Sequence, residues 1–276
     1  MNYRCMNDLY RVYLVYKMLK CFRRCGFFVS DTKKQLNTSV PLTETDRRSC
    51  TSFHTCDGGN SDLDDVETTG RASLAVFSAF INEKRGFRPN GTVGATSLWF
   101  RPKTAGKPII SLGEVTVRGS VSLERIVNTV TDLSRKGEWD AEFWGGREIY
   151  RKNLDDDTWI RMAWTASKPK GSVAGRDFVL HSYVKKTQSS WCIVSWSVEA
   201  VDCPPEYLPK VASADHVRAK LYLGGIHAAR TPGNDWKISL VNQAEIVGIS
   251  SWLSEPVLMK SPSILNSLKR VLELRT

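Results

Sequence analysis

Six stretches of strand character follow one another between Phe143 and Gly248, and this succession limits the fold more than any other feature of the chain. They are FWGGREIYRK (143–152), TWIRMAWTA (158–166), GRDFVLHSYVKK (175–186), SSWCIVSWSVEA (189–200), ADHVRAKLYLGG (214–225) and DWKISLVNQAEIVG (235–248). Strands separated mostly by short connections pair antiparallel, because a parallel neighbour needs a crossover of a dozen or more residues. In GRDFVLHSYVKK, Phe178, Leu180 and Ser182 fall on one face and Val179, His181 and Tyr183 on the other. The first set suits a dry interior until it reaches the serine hydroxyl.

Helical periodicity brackets this run. RASLAVFSAFINEK (71–84) clusters Leu74, Val76, Phe77, Phe80 and Ile81 at helical spacing. Two strand-like segments follow, ATSLWFRP (95–102) and PIISLGEVTVRG (108–119). SVSLERIVNTVTDLSRKGEWD (120–140) then puts Leu123, Ile126, Val127, Val130 and Leu133 on one helical face, with Ser122 as its N-cap. From Ile249 to Leu274 apolar residues again recur at helical intervals, interrupted by Pro256 and Pro262. A proline inside a helix costs about 3 kcal/mol. Ser261–Pro262 has the form of an N-cap and first helical position. The expectation is a short helix, a kink, and a second helix from about Pro262.

Charge divides the 276 residues into three parts. Residues 1–30 carry six Lys/Arg against one Asp, a net of +5; residues 31–70 net −4 and residues 71–276 net +9. The first segment is apolar but interrupted by basic residues, and no run nears the ~18 apolar residues that span a bilayer. It reads as a mitochondrial-type targeting segment, a surface anchor with Cys21 and Cys25 as acylation candidates, or an extension without an address. Residues 31–70, with DGGNSDLDD (57–65), read as a polar linker, and residues 71–276 as the folded domain. Seven cysteines, only two of them in the domain, argue against a disulfide scaffold. Cys50, His54 and Cys56 lack a fourth ligand at a usual spacing, so no metal is expected. The basic residues are scattered rather than massed on one helix, which points to a membrane surface, above all an anionic one, and away from nucleic acid.

Four local motifs then carry a resemblance. GEWD (137–140), GRDFV (175–179), VDCPPEY (201–207) followed by HVRAKLYL (216–223), and EIVGISSWL (245–253) occur in the order and at the spacing found in the START (steroidogenic acute regulatory protein-related lipid transfer) domain family. The resemblance covers roughly residues 71–276. It implies an α+β helix-grip fold: a curved antiparallel sheet wrapped around a long C-terminal helix, with an internal hydrophobic tunnel for one lipid.

On that reading, strand alternation nominates as tunnel lining Ala163 and Thr165, Phe178, Leu180 and Ser182, Ile193 and Ser195, and Ala219, Leu221 and Leu223. The last helix closes the cavity with Leu253, Val257, Ile264 and Leu268. Arg161, two residues before Ala163, is nominated as a polar rim. Lys168 and Lys170, in the loop SKPKGSVAG (167–175), are nominated for membrane contact. One departure stands out. The acidic residue and arginine that pair in the tunnel of sterol carriers fall here on Ala163 and Ser182, and phosphatidylcholine carriers also keep that arginine. The resemblance therefore leaves the ligand open among sterol, phospholipid and related lipids.

The resemblance implies a non-enzymatic lipid-binding or transfer protein, without cofactor, cytoplasmic or peripheral to a membrane, that exchanges its lipid by opening the last helix and the 167–175 loop. The nominated inward positions hold no His, Asp, Glu, Lys or Cys for acid–base work. An enzyme on a related helix-grip fold, or a lipid-gated interaction module, remains the alternative.

Overall fold

Alternating side chains need two covers, one for each face of the sheet, and the helices supply them. The computed structural model describes residues 61–104, 106–170, 173–198, 216–249 and 251–274, without the side chains of 61–63 and 251–253. The readings of residues 1–60 and of VDCPPEY lie outside the described residues. The strands are β1 (Arg88–Val93), β2 (Thr96–Arg101), β3 (Ile110–Val117), β4 (Phe143–Asn153), β5 (Thr158–Ser167), β6 (Gly175–Lys186), β7 (Ser190–Ser197), β8 (His216–Arg218), β9 (Lys220–Arg230) and β10 (Trp236–Glu245). They form one open sheet in the order β1-β2-β3-β10-β9-β7-β6-β5-β4, antiparallel throughout except that β8 runs parallel to the start of β6.

Register assigns each residue its face. Val184 on β6 lies opposite Trp159 on β5 and Ile193 on β7. These belong to the inner face, where Val115, Val117, Ile226, Trp236 and Ile238 pack with three helices: α2 (Leu123–Thr131), α3 (Lys136–Trp139) and α5 (Leu265–Glu273). Ile126, Val130, Trp139, Leu265, Leu268 and Leu272 are the helical side of this core. The outer face is covered by α1 (Ser61–Glu83), whose Phe77 and Ile81 pack with Tyr183, Cys192, Val194 and Val241. Burying Phe77 and Ile81 contributes about 1.5–3 kcal/mol each. Gly70 lets α1 lie flat, since a β-carbon there would sit 2.6 Å from Cβ of Tyr183.

Four elements differ from the sequence reading, each for a local reason. Helix α1 begins at Ser61, ten residues before Arg71 where the sequence reading started it, and Asp64 and Asp65 near its N-terminal end suit the positive end of the helix dipole. Strand β1 (RPNGTV) has no alternating pattern; as an edge strand beside β2 it buries little. The fifth strand run is displaced: it becomes the short β8 and then β9, which continues to Arg230. At the C-terminus, α4 (Ser251–Lys260) contains Pro256, a 3₁₀ turn spans Ser261–Ile264, and α5 follows. Ser261 is not an N-cap; its hydroxyl donates to the Leu258 carbonyl at 2.8 Å. Pro262 instead seats the turn on the sheet, against a Gly113 whose β-carbon would come within 2.5 Å of the proline ring. Ser122 caps α2 as read, accepting from the Arg125 N–H at 3.2 Å.

Candidate functional site: a polar row on the inner sheet face

Three neighbouring strands place Arg161, Ser182 and Ser195 side by side across the inner face. Arg161 on β5 is directly opposite Ser182 on β6, and Ser182 opposite Ser195 on β7. The row continues to Gly224 on β9. The two serine hydroxyls share a 2.8 Å hydrogen bond. On one side the flanking row is Trp159, Val184, Ile193 and Ile226, part of the inner core. On the other side it is Ala163, Leu180 and Ser197, followed by Thr165 and Phe178. Ala163 and Thr165 are buried, whereas Phe178, Leu180 and Ser195 are only half-buried. A polar stripe thus crosses an apolar surface that the helices cover only in part.

Arg161 is the chemical centre of this row. Nominated as a rim residue, it is instead 6% exposed. One guanidinium nitrogen donates to the carbonyl of Thr131 at 2.7 Å, at the C-terminus of α2, where a cation meets the negative end of the dipole. Its Nε is buried and has no hydrogen-bond partner. The same nitrogen that serves Thr131 lies 3.7 Å from Glu148, whose shorter contact is with Arg151 at 3.2 Å. Burial lowers the Arg161 pKa from its ordinary value, with Glu148 opposing the shift and Arg151 adding to it. This charge is therefore incompletely balanced in a place where imbalance is costly.

A second cation was missed in the sequence. The Lys136 ammonium on α3 points between the rings of Phe143 and Trp139, 5.5 and 5.9 Å from their centroids. Burial lowers its pKa; the carboxylate of Asp140 opposes that shift and the charge of Arg161 reinforces it. In the sequence, Lys136 and Trp139 are three apart in SRKGEWD, the spacing that puts two side chains on one helix face. That was the available signal. Trp139 is fixed by its own N–H, which donates to the Thr129 carbonyl at 3.0 Å. Burial raises the Asp140 pKa, with Lys136 opposing, and its carboxylate accepts the Glu142 N–H at 3.1 Å.

The remaining nominated residues separate into three groups. Ile193 and Leu268 are in the inner core, with Ile264 packed at its margin. Ala219 is buried between β8 and β9, its N–H donating to the Asp177 carbonyl at 3.0 Å. Leu221 packs with Ile109, Ala244 and Leu258 beside α4. Leu223, by contrast, belongs to the outer cluster under α1. The register shifts between Gln243 and Ala244, so that Leu223 faces Gln243 but Leu221 faces Ala244. The extra residue, Tyr222, reverses the parity that strict alternation assumes. Val257 is also corrected: it is 61% exposed, and α4 buries Ser254 and Leu258 instead. The Leu253 side chain lies outside the description.

Lys168 and Lys170 sit on the edge of the sheet, tied to the turn before β4. The Lys168 ammonium donates to the Ala141 carbonyl at 2.9 Å, and Lys170 pairs with Glu142 at 2.8 Å while remaining 73% exposed. Two cavities, of about 390 and 490 Å³, open at the β4–β5 turn and share Asp155 and Asp156, the first extending to Arg71 and Tyr183 and the second to Trp159. Leu265, Leu268 and Leu272 of α5 pack against the sheet residues of the inner core. His181 and Cys192 face outward: His181 contacts the Tyr150 hydroxyl at 3.1 Å, and burial raises the Cys192 thiol far above its ordinary value. Among the described residues no group of three His, Cys, Asp or Glu side chains is placed to hold a metal, and no helix is long and apolar enough to cross a membrane.

This architecture has counterparts among solved structures. It superposes on human StAR-related lipid transfer protein 5 with a TM-score of 0.59 at 16% identity, covering 76% of this chain and 99% of that one. Human STARD10 gives 0.58 at 14% identity over 72% and 77% of the two chains. A STAR-related lipid transfer protein fragment from Xanthomonas axonopodis gives 0.53 at 19% over 68% and 98%. At such identities the likeness is one of fold. No curated protein sequence matches the chain. The START domain profile, however, matches residues 106–264, more than half of the sequence and all of the sheet from β3 to β10. An open antiparallel sheet that grips a C-terminal helix, matched by that profile over most of its length, makes this chain a member of the START domain family.

Proposed function

We propose that the protein is a non-enzymatic lipid carrier that holds one lipid against the inner face of its sheet. The observation that carries this reading is the polar row of Arg161, Ser182 and Ser195 set between apolar rows whose Phe178 and Leu180 remain half-buried. Hydrocarbon laid over Ala163, Thr165, Phe178, Leu180 and Leu221 gains about 0.8 kcal/mol per buried methylene. The polar row then orients the other end of the molecule, in the manner of a mostly apolar pocket with a few placed polar groups. The names of the solved relatives, lipid transfer proteins, support the same class. An enzymatic role is less well supported, because the most reactive side chains near this region, His181 and Cys192, lie on the other face. Native mass spectrometry of the full chain purified from cells tests the reading. One co-purifying lipid per protein is expected, and a chain consistently free of lipid would oppose it.

Exchange requires the cover to move, since Leu265, Leu268 and Leu272 fill the space beneath the helix. The movable part is α4 with the following turn: Pro256 removes a hydrogen bond from its interior, and Val257 already faces outward. The 167–175 loop is the second wall, and its lysines make the membrane contact. Their present partners, a backbone carbonyl and an exposed carboxylate, are worth little in water and exchange readily for anionic headgroups. Lys168→Glu combined with Lys170→Glu is expected to lower affinity for phosphatidylserine-containing vesicles by about tenfold or more, at roughly 1 kcal/mol per basic residue lost plus the added repulsion. Co-sedimentation checks this. Equal binding by parent and variant would move the membrane contact elsewhere.

A further inference from the structure

We propose that the lipid's polar end is an anion, a carboxylate or a phosphate, seated on Arg161 with Lys136 as the second cation; this rests on the lipid-carrier reading above. The inner face offers hydrogen-bond donors that lack acceptors. The buried Nε of Arg161 is unpartnered, and so is the indole N–H of Trp159, two residues along the same strand face. A bound group that supplies acceptors satisfies these donors; one that supplies donors does not.

Charge points the same way. The carboxylates within reach are Glu148, which makes its closer contact with Arg151, and Asp140, which accepts a backbone N–H and is the opposing charge for Lys136. Arg161 is left as a nearly buried positive charge whose one close hydrogen bond is to the neutral Thr131 carbonyl, with the Glu148 carboxylate at 3.7 Å and shared with Arg151. One terminal nitrogen is committed to Thr131 and Nε, on the opposite edge, has no partner; Nε and the other terminal nitrogen form the edge whose two parallel N–H groups a carboxylate or phosphate takes bidentately. Lys136 is held at the same end of α2 as Arg161: its ammonium lies over the ring of Trp139, which is bound to the Thr129 carbonyl two residues from the Thr131 carbonyl that holds Arg161, and an anion seated there meets both cations. On the family resemblance the charged pair of sterol carriers corresponds to Ala163 and Ser182, both uncharged here, so Arg161 is a different position on the sheet.

Titration calorimetry of the delipidated full chain with oleate, oleoyl lysophosphatidate and oleyl alcohol tests the proposal, since the three share a tail and differ in the head. One or both anions are expected to bind at least tenfold tighter than the alcohol, and which anion binds tighter identifies the head as carboxylate or phosphate. Arg161→Met, which keeps the apolar stem, is expected to weaken the preferred anion about 10–100-fold, at least tenfold more than it weakens the alcohol. Should loss of the bond to Thr131 unfold that variant, Lys136→Gln on the one-turn α3 reports independently, with a smaller loss confined to the anions. Equal affinity for all three amphiphiles overturns the anion seat and leaves the carrier reading intact. Anion selectivity unchanged in both variants overturns the assignment of residues. If none of the three binds, the anion seat falls, and the carrier reading then stands or falls on whether a lipid co-purifies with the full chain in native mass spectrometry.

Discussion

Leu268→Ala is expected to lower the free energy of unfolding by about 2–5 kcal/mol, the range for truncating a fully buried leucine. Leu268 is inaccessible to solvent on α5, in the same core as Ile193, Trp191 and Trp236 of the sheet. The grip on α5 rests on few elements: Leu265, Leu268 and Leu272 recur at helical spacing, while Pro262 fixes the preceding turn on Gly113. The cavity left by the missing isobutyl group cannot close easily, because its walls belong to a sheet and helices already in contact. Urea unfolding checks the value. A loss below 1 kcal/mol would mean that α5 is not the helix the sheet holds. The same substitution on the exposed face of α4, Val257→Ala, is expected to change stability by less than about 0.5 kcal/mol.

Ala163→Trp and Ser182→Trp are each expected to reduce lipid binding by tenfold or more while the chain still unfolds cooperatively. Both side chains are small and buried on the inner face, one in the polar row and the other in the next row along β5. An indole at either place occupies the surface assigned to the lipid. Overpacking costs about 1–3 kcal/mol, which a domain of ordinary stability survives. Calorimetric lipid titration, with thermal unfolding as the control, separates the two effects. Met162→Trp on the outer face of the same strand is the contrast: it strains the outer packing without entering the lipid's path, so it should cost stability but not lipid affinity. Parent-like lipid affinity in both inner variants would mean that the lipid does not occupy this surface.

Much of this arrangement was legible in the residues. Alternation in GRDFVLHSYVKK assigned Phe178, Leu180 and Ser182 one face and Tyr183 the other, and the register agrees with that division. The helical face of Ile126, Val127 and Val130 was equally plain. What escaped was whatever breaks a period. Leu223 faces outward by the alternation it shares with Gly225, whereas a bulge at Tyr222 puts Leu221 on the other face, and a single inserted residue is invisible to a two-residue repeat. Val257 faced outward because Pro256 and the following 3₁₀ turn change the helical phase. Arg161 was placed at a rim because arginine is rarely buried, whereas the α2 C-terminus, thirty residues away in the chain, supplies the acceptor that holds it inside. Lys136 went unnoticed for a related reason: its burial is created by Phe143 and Trp139 together, and only the second of these shares its helix.

The central claim is that lipid lies on the inner sheet face across the row of Arg161, Ser182 and Ser195. Photolabelling of the full chain with a diazirine-bearing fatty acid, followed by peptide mapping, tests it most directly. The expected labels fall at Ala163, Thr165, Phe178, Leu180, Ser195 and Leu221, saturate at one lipid per protein, and are displaced by excess unlabelled lipid. Labels confined to α1 and the outer face around Tyr183 and Val241, or labels that never saturate, would contradict the account.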